Sequence, residues 1–562
     1  MTQIPVTGRS SVILTLEYLL IAAIIGGVSL RLGRLGSREY WYDEVLSLLY
    51  ATGQRNAYRA PGDTPVALRN YTILLSLPPE SSGHDTLRTI RGLFRGFQKE
   101  PHPPLFYISL HLWLRLFGNG ELATRSLVAL FGIGAIGGAY GLGRVVLGHR
   151  GGLLLAALLC TNPYASFHSW NLRMYAPLVM WATLSGWALL HLIHRQGDGV
   201  TGNRVRRISW SLFLAGSVGA GLLTQYLFTY WIIALAAVAL YLDRRRWWQH
   251  VLWLAAGVSA TIPWGLWGTL RQLRNAAFIF DRLGDKHGEP SWLRHLHDVA
   301  TVLGSHLLVG DWRPTLPLLM VVTGGIIVSL VLAACALNLW RQGERRLLGV
   351  ACLLGIFPLL LALGVDVVWN KFAVGWGGGR AVVFILPGCL LLLALWIERG
   401  SGPWYRTAAA VLLLAYLGIT AADVGLRHRR MFRIVAEVID QAPETPTLVA
   451  MNSQAWGHVL RLAYYTPVTA QVMLLAQQSA KLIPALERTL HAEAGGYPRI
   501  VWLESGYPGW SPPATESQRQ QIHQILAADY RLVKSQPLSG TSKGDHFTIH
   551  LYERAPSKAG SL

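Results

Sequence analysis

Apolar residues along the chain gather into long runs near 12–30, 122–143, 151–168, 174–194, 208–224, 226–242, 250–270, 316–338, 348–366, 381–397 and 407–424. A helix that crosses a bilayer takes about 20 mostly apolar residues, so these runs predict membrane spans. A shorter run at 104–117 carries His111 and Arg115. Past residue 424 the pattern changes. Runs shorten to strand length at 445–451, 498–504, 530–536 and 546–553, with helical patterns near 453–465, 470–490 and 514–528 between them. Strands alternating with helices predict a small α/β domain. The expected architecture is an α-helical polytopic membrane domain over residues 1–424, with about 11 transmembrane helices, followed by a soluble domain over 425–562.

Composition supports the membrane reading. Hydrophobic residues make up 52% of the chain and charged residues 14%, whereas a soluble protein carries about 25% charged residues. The net charge of +20 would raise the question of nucleic acid in a soluble chain. Here the excess sits in short loops between apolar runs, such as Arg204, Arg206 and Arg207, or Arg244, Arg245 and Arg246. That is the positive-inside pattern, so membrane lipid is the expected partner and nucleic acid is not.

Basic loops at 144–150, 195–207, 243–249 and 339–346 are expected in the cytoplasm, with residues 1–11. The parity closes at 11 spans if 104–117 lies in the outer interface, as Trp113 and Arg115 allow. Residues 31–121, 271–315, 367–380 and 425–562 are then outside, although the basic residues of 271–315 run against the charge trend. The first run lacks a small-residue cleavage site and is read as a retained span. Cys160, Cys335, Cys352 and Cys389 lie inside apolar runs with no paired spacing, which indicates neither disulfides nor a zinc site.

Residues able to do chemistry fall on the outer side of this topology. Tyr40-Trp41-Tyr42-Asp43-Glu44 follows the first span. Adjacent carboxylates there can act as a base and its partner, as metal ligands, or simply as solvated acids beside an aromatic belt. The loop 31–121 later reads Glu100-Pro101-His102-Pro103-Pro104, and its prolines hold His102 on an extended approach to the next helix. Asn171-Leu172-Arg173-Met174-Tyr175 opens a span, where an arginine also commonly snorkels to lipid phosphate. Gln225-Tyr226 forms the turn of a helical pair. Asn370-Lys371 leads to Gly375-Trp376-Gly377-Gly378-Gly379-Arg380, where glycines permit close approach of the backbone to an anion. No one of these is specific alone; their common side is what gives them weight.

These residues carry a resemblance to the GT-C superfamily of membrane glycosyltransferases, and within it to bacterial relatives of protein O-mannosyltransferases and lipid A aminoarabinose transferase. The matching strings are W-Y-D-E-V at 41–45, H-P-P-L-F-Y at 102–107, F-G-N-G-E-L-A-T-R at 117–125, L-R-M-Y-A at 172–176 and G-R-A-V-V-F-I-L-P at 379–387. With the number of spans they cover roughly residues 10–400. The resemblance implies that Asp43 is the catalytic acid with Glu44 beside it. It places Arg173 and Tyr175 near the site and brings Arg380 to the carrier phosphate. Relatives often have His-Tyr at Gln225-Tyr226 and Arg-Tyr at Arg380-Ala381, so the contacts those positions make differ here. Other branches use a divalent metal, which the resemblance leaves open for this chain, while the nearest relatives by motif need none for chemistry.

The expected reaction moves a sugar from a polyprenyl-phosphate carrier to an extracytoplasmic acceptor hydroxyl on a glycan, lipid or protein, with inversion. A phosphate leaves as a stable anion, so one carboxylate suffices, unlike the two needed for hydrolysis of an alkoxide glycoside. Asp43 is expected to take the acceptor proton, oriented by Glu44 or His102. Arg380, Arg173 and Lys371 stabilise the departing phosphate, a preorganised effect of about 3–4 kcal/mol per key donor. His102, Tyr175, Gln225 and Tyr226 complete the substrate site. The expected location is a bacterial inner membrane with the site on the outer side. The alternative is a non-enzymatic transporter or flippase of a lipid-linked sugar, against which stands the lack of internal repeats and midplane charges.

Overall fold

The computed structural model describes residues 7–33, 35–197, 204–274, 291–492, 496–509, 511–542 and 544–555. Residues 1–6, part of the basic loop 195–207 and residues 275–290 of the outer segment 271–315 lie outside the described residues. Packing divides the chain into two units. The first comprises Met1–Leu35, Phe97–Ser109 and Arg125–Gly425; the second comprises Gly36–Gly96, Leu110–Thr124 and Leu426–Leu562.

The first unit is helical. Its principal helices are Thr7–Leu32, Glu121–Thr161, Tyr175–Gly197, Arg204–Thr224, Phe228–Leu242, Trp247–Ser259, Leu318–Arg341, Arg345–Trp369, Leu386–Leu395 and Tyr405–Leu426. By length and composition six helices among the described residues can cross a membrane, or seven if the pair Trp247–Ser259 and Ile262–Arg274, bent by 41°, is one span. The chain is a multi-pass helical membrane protein. The larger count of 11 needs helices such as Phe228–Leu242, which is apolar but only 15 residues long. Leu105–Phe117, at 13 residues, reaches about 20 Å and cannot cross a hydrocarbon core of about 30 Å.

Residues 121–161 form one continuous helical stretch only in appearance. Gly148 (φ 81°, ψ −173°) breaks it in a conformation that glycine adopts without strain. A β-carbon on Gly152 would lie 2.8 Å from Tyr140 O, and one on Gly143 2.8 Å from Gly151 O, so the two arms fold back on each other. The two runs read at 122–143 and 151–168 are these two arms.

The second unit is built on a six-stranded sheet. Its strands are β1 (Val66–Ala67), β2 (Thr447–Met451), β3 (Val472–Ala476), β4 (Arg499–Ser505), β5 (Tyr530–Ser539) and β6 (His546–Arg554), in the order β1-β3-β2-β4-β6-β5. β2 pairs parallel with both β3 and β4, while β1, β5 and β6 join antiparallel. Every residue of β2 and β4 is buried, which is why 448–451 and 500–503 read as unbroken apolar runs. Leu448, Leu475, Leu486, Trp502, Ile522 and Leu526 pack one core.

β3 corrects the helical reading of 470–490. Val472–Ala476 is strand and the helix begins at Ser479. A five-residue apolar run beside a helical pattern looks the same in either state, and here parallel pairing with β2 decides it. The unit also takes in more than residues 425–562. Segments 36–96 and 110–124 pack with it, and β1 comes from the first of these.

Candidate functional site

In the first unit His102, Tyr107 and Arg173 converge on Glu100, whose carboxylate is buried. His102 Nδ1 lies 2.5 Å from Glu100 Oε1, and the Tyr107 hydroxyl donates to the same oxygen at 2.9 Å. Arg173 donates to the Tyr107 hydroxyl at 3.3 Å and stands 4.0 Å from Glu100 Oε1. Burial raises the Glu100 pKa, but the His102 hydrogen bond and the charges of His102 and Arg173 outweigh it. The net displacement is below the ordinary carboxylate value. Glu100 is therefore an anion that holds His102 and faces Arg173.

The proline-rich segment is clamped from behind. Gln272 Nε2 donates 2.8 Å bonds to both Phe97 O and His102 O. Gln272 Oε1 in turn accepts from the Tyr226 hydroxyl at 2.5 Å, and Trp264 Nε1 donates to that hydroxyl at 3.1 Å. Three residues predicted separately, His102, Arg173 and Tyr226, thus belong to one hydrogen-bonded assembly. Glu100, Tyr107 and Gln272, which join them, were not singled out. Gln225 is buried next to Tyr226, and its Oε1 has no hydrogen-bond partner among the described residues.

A second group surrounds the glycine segment. Gly377, Gly378 and Gly379 have φ of 60°, 78° and 79°, a run of left-handed residues that side chains adopt only with strain. The turn seats two guanidinium groups. A β-carbon on Gly377 would lie 2.4 Å from Arg380 Nε, and one on Gly378 2.8 Å from Arg313 Cδ. Arg380 Cζ is 5.8 Å from the centre of the Tyr175 ring, and the Tyr164 hydroxyl donates to Gly378 O at 3.1 Å. The His168 ring meets Tyr164 edge-on at 4.5 Å between centroids and Tyr175 at a tilt at 4.7 Å. Tyr175 and Arg380 are therefore together. Lys371 is half-buried at the head of the loop, its amide donating to Asp366 O at 2.8 Å. Asp298, which no sequence pattern marked, lies against Gly375; burial is the main reason its pKa is raised to about 6.

Asp43 and Glu44 belong to the second unit, on the first turn of the helix Tyr42–Ala51. Glu44 is 2% exposed and its Oε2 accepts from the Trp41 amide at 2.7 Å, which caps the helix. Asp43 is half-buried, and its carbonyl accepts from Ser47 Oγ at 3.2 Å. The neighbouring acids therefore have different surroundings: one closes the helix end and the other keeps part of its surface exposed. Among the described residues no group of three or more His, Cys, Asp or Glu is placed to hold a metal ion.

Residues 101–267 match the family model described as dolichyl-phosphate-mannose-protein mannosyltransferase. The resemblance to the GT-C glycosyltransferases holds. The matched segment takes in His102, Tyr107, Arg173, Tyr175, Gln225 and Tyr226. No curated protein matches the chain in sequence. Among solved structures the chain is similar to the oligosaccharyltransferase of Archaeoglobus fulgidus tethered to an acceptor peptide, at 15% identity and TM-score 0.46, over 88% of this chain and 69% of that one. It is also similar to ArnT from Cupriavidus metallidurans bound to undecaprenyl phosphate, at 14% identity and TM-score 0.43, over 97% and 99%. AglB from Archaeoglobus fulgidus, in complex with an inhibitory peptide and a dolichol-phosphate, aligns at 13% identity and TM-score 0.47, over 99% and 75%.

Proposed function

We propose that this chain is a membrane glycosyltransferase that moves a sugar from a polyprenyl-phosphate donor to an acceptor hydroxyl on the extracytoplasmic side, with inversion. Asp43 removes the proton from the acceptor oxygen as that oxygen attacks the anomeric carbon. The carrier phosphate leaves with the electron pair of the bond to the sugar. Arg380 and Arg313, held by the glycine turn, take up the charge that develops on that phosphate; Arg173 and Lys371 contribute to the same field. Glu44 fixes the helix end that presents Asp43. His102, Tyr175, Gln225 and Tyr226 line the sugar and carrier site.

The observation that carries this reading is the glycine turn at 377–379, which seats Arg380 against Tyr175 with a second guanidinium beside it. A left-handed glycine turn that draws cations together suits a phosphate ligand, because fixed donors need no reorganisation as charge develops. The family match over 101–267 supports the same chemistry. In this reading residues 1–424 form the membrane domain, with 11 spans in a bacterial inner membrane. Residues 425–562, with the outer loop, lie outside, and the partners are a lipid-linked sugar and a glycan, lipid or protein acceptor.

The test is transfer of radiolabelled sugar from synthetic polyprenyl-phosphate donors by purified protein, wild type beside Asp43→Asn. Label is expected to leave the carrier only with Asp43 intact. Near-normal turnover in Asp43→Asn would remove Asp43 as base. Movement of intact donor across a bilayer without covalent transfer would favour a flippase instead.

A further inference from the structure

The second unit buries a cluster of charges that the transfer step does not use. Glu39 and Arg461 are 0% exposed, Asp545 is 1% and Arg429 is 5%. Arg461 stands between the two acids, donating to Asp545 Oδ1 at 2.8 Å and lying 3.5 Å from Glu39 Oε2. Arg429 Nε is 3.3 Å from Asp545 Oδ2. Two acids face two arginines, so the cluster is balanced, which buried charge requires.

Its position matters more than its existence. Glu39 lies four residues before Asp43, and its backbone is held on both sides. Its N–H donates to Arg429 O at 3.1 Å, and Arg429 donates back to Glu39 O at 3.2 Å. The Arg433 amide donates to Glu39 Oε1 at 2.6 Å, and the Tyr40 amide to the Tyr465 hydroxyl at 2.6 Å. That hydroxyl also binds Glu121. Beyond the helix start, the Tyr42 ring rests on Gly457. A β-carbon there would lie 2.4 Å from Tyr42 Cδ2, and the His458 ring meets Tyr42 edge-on at 5.5 Å. Most of these fixed points come from residues 429–465 or from Asp545; Glu121 adds one, and the Tyr40 hydroxyl meets Asn119 O at 3.3 Å and Thr124 Oγ1 at 2.5 Å.

Apolar packing would stabilise such an interface at lower desolvation cost. What directional bonds to a buried carboxylate add is a single register. We propose that the C-terminal segment is the seat of the transfer motif, with Glu39 and Arg461 as positioning residues that set where Asp43 stands. The proposal rests on Asp43 being the base. Its consequence is that residues far past the last span act on the chemical step and not on donor affinity.

The experiment is the double variant Glu39→Gln/Arg461→Met in the full-length protein, assayed with the polyprenyl-phosphate sugar that wild type consumes. It removes one acid and one base and leaves Asp545 and Arg429 as a balanced pair. A misplacement of about 1 Å costs about 100-fold in rate, so kcat is expected to fall about 10- to 100-fold with donor KM unchanged. Arg461→Lys, which keeps the charge, should recover part of the loss. A folded double variant with kcat within about two-fold of wild type overturns the proposal, as does a change confined to KM. If the double variant does not fold, Gly457→Ala presses on the same seat without touching a charge, and the same split is expected; unchanged kcat in it overturns the proposal. Asp43→Asn is run in parallel. Full turnover there removes the base assignment and this proposal with it. An inactive Asp43→Asn beside a fully active double variant removes only the positioning role.

Discussion

The Glu100 assembly yields a quantity that can be measured as a coupling. Glu100 accepts a 2.9 Å bond from Tyr107 and a 2.5 Å bond from His102, and Arg173 stands 4.0 Å away. At an effective dielectric of 20, unit charges 4 Å apart attract by about 4 kcal/mol before desolvation is subtracted. A hydrogen bond to a buried charge contributes about 1.5–3 kcal/mol net, against about 0.5–1.5 for a neutral one. Glu100→Gln keeps an oxygen at the same place and removes the charge. Tyr107→Phe removes the bond from the other side and also removes the acceptor that Arg173 uses.

If the bond is what couples them, the double-mutant cycle should return about 1–2 kcal/mol, with the two single losses not adding. The readout is kcat/KM for transfer, where 1.4 kcal/mol is about a tenfold change, with the thermal unfolding midpoint measured beside it. The pH dependence has a definite sign. The folded pKa of Glu100 lies below its ordinary value, so its stabilisation is present above that ordinary value and is lost as pH falls through the lower folded one. Additive losses to within about 0.3 kcal/mol would refute the reasoning, because Glu100 and Tyr107 would then act independently.

Other outcomes follow from the same geometry. Glu44→Gln retains an oxygen to cap the Trp41 amide, so it should keep most activity while Asp43→Asn keeps almost none; parity between them in the transfer assay would mean the two acids share the work. Gly378→Ala forces a side chain into φ 78° beside Arg313, a strain of about 1–2 kcal/mol, and should lower donor consumption with little effect on unfolding of the second unit. His458 is pushed down to about 3, chiefly by burial and next by Arg461. The unfolded chain therefore binds that proton first, and stability falls below pH about 6.5, by about 1.4 kcal/mol at pH 5.5. His458→Gln should show a smaller loss of melting temperature between pH 7.5 and 5.5 than wild type, and equal losses would refute the assignment.

Much of the first unit was legible because membrane spans are written in long apolar runs. The helical hairpin broken at Gly148 is an example: both arms are apolar and the turn is glycine. Site residues were legible where local chemistry is unusual. Pro101, Pro103 and Pro104 drew attention to His102, and the glycine cluster to Arg380. Glu100 was passed over although it stands two residues from His102, because a lone acid in a loop resembles a solvated one. Only tertiary burial, with Tyr107 brought in from the helix Leu105–Phe117 and Arg173 from the bend before Tyr175–Gly197, makes it the centre of the assembly. β3 was misread for a related reason: its five apolar residues are strand only because β2 lies beside them.

Glu39 and Arg461 show the same principle at longer range. They are 422 positions apart, and each is an ordinary charged residue in its own segment. What makes them a pair is that residues 36–96 and 426–562 pack into one unit. The helix Tyr42–Ala51 is ten residues long and buries Val45, Leu48 and Leu49. Helices so short are marginal in water unless packed on something larger. The helix Trp456–Tyr465 and the sheet behind it supply that surface within the second unit. A motif carried on a short helix inherits its position from whatever it packs against. The acid that carries the proposed chemistry is therefore encoded in the first tenth of the chain, and the precision with which it is held is encoded in the last quarter.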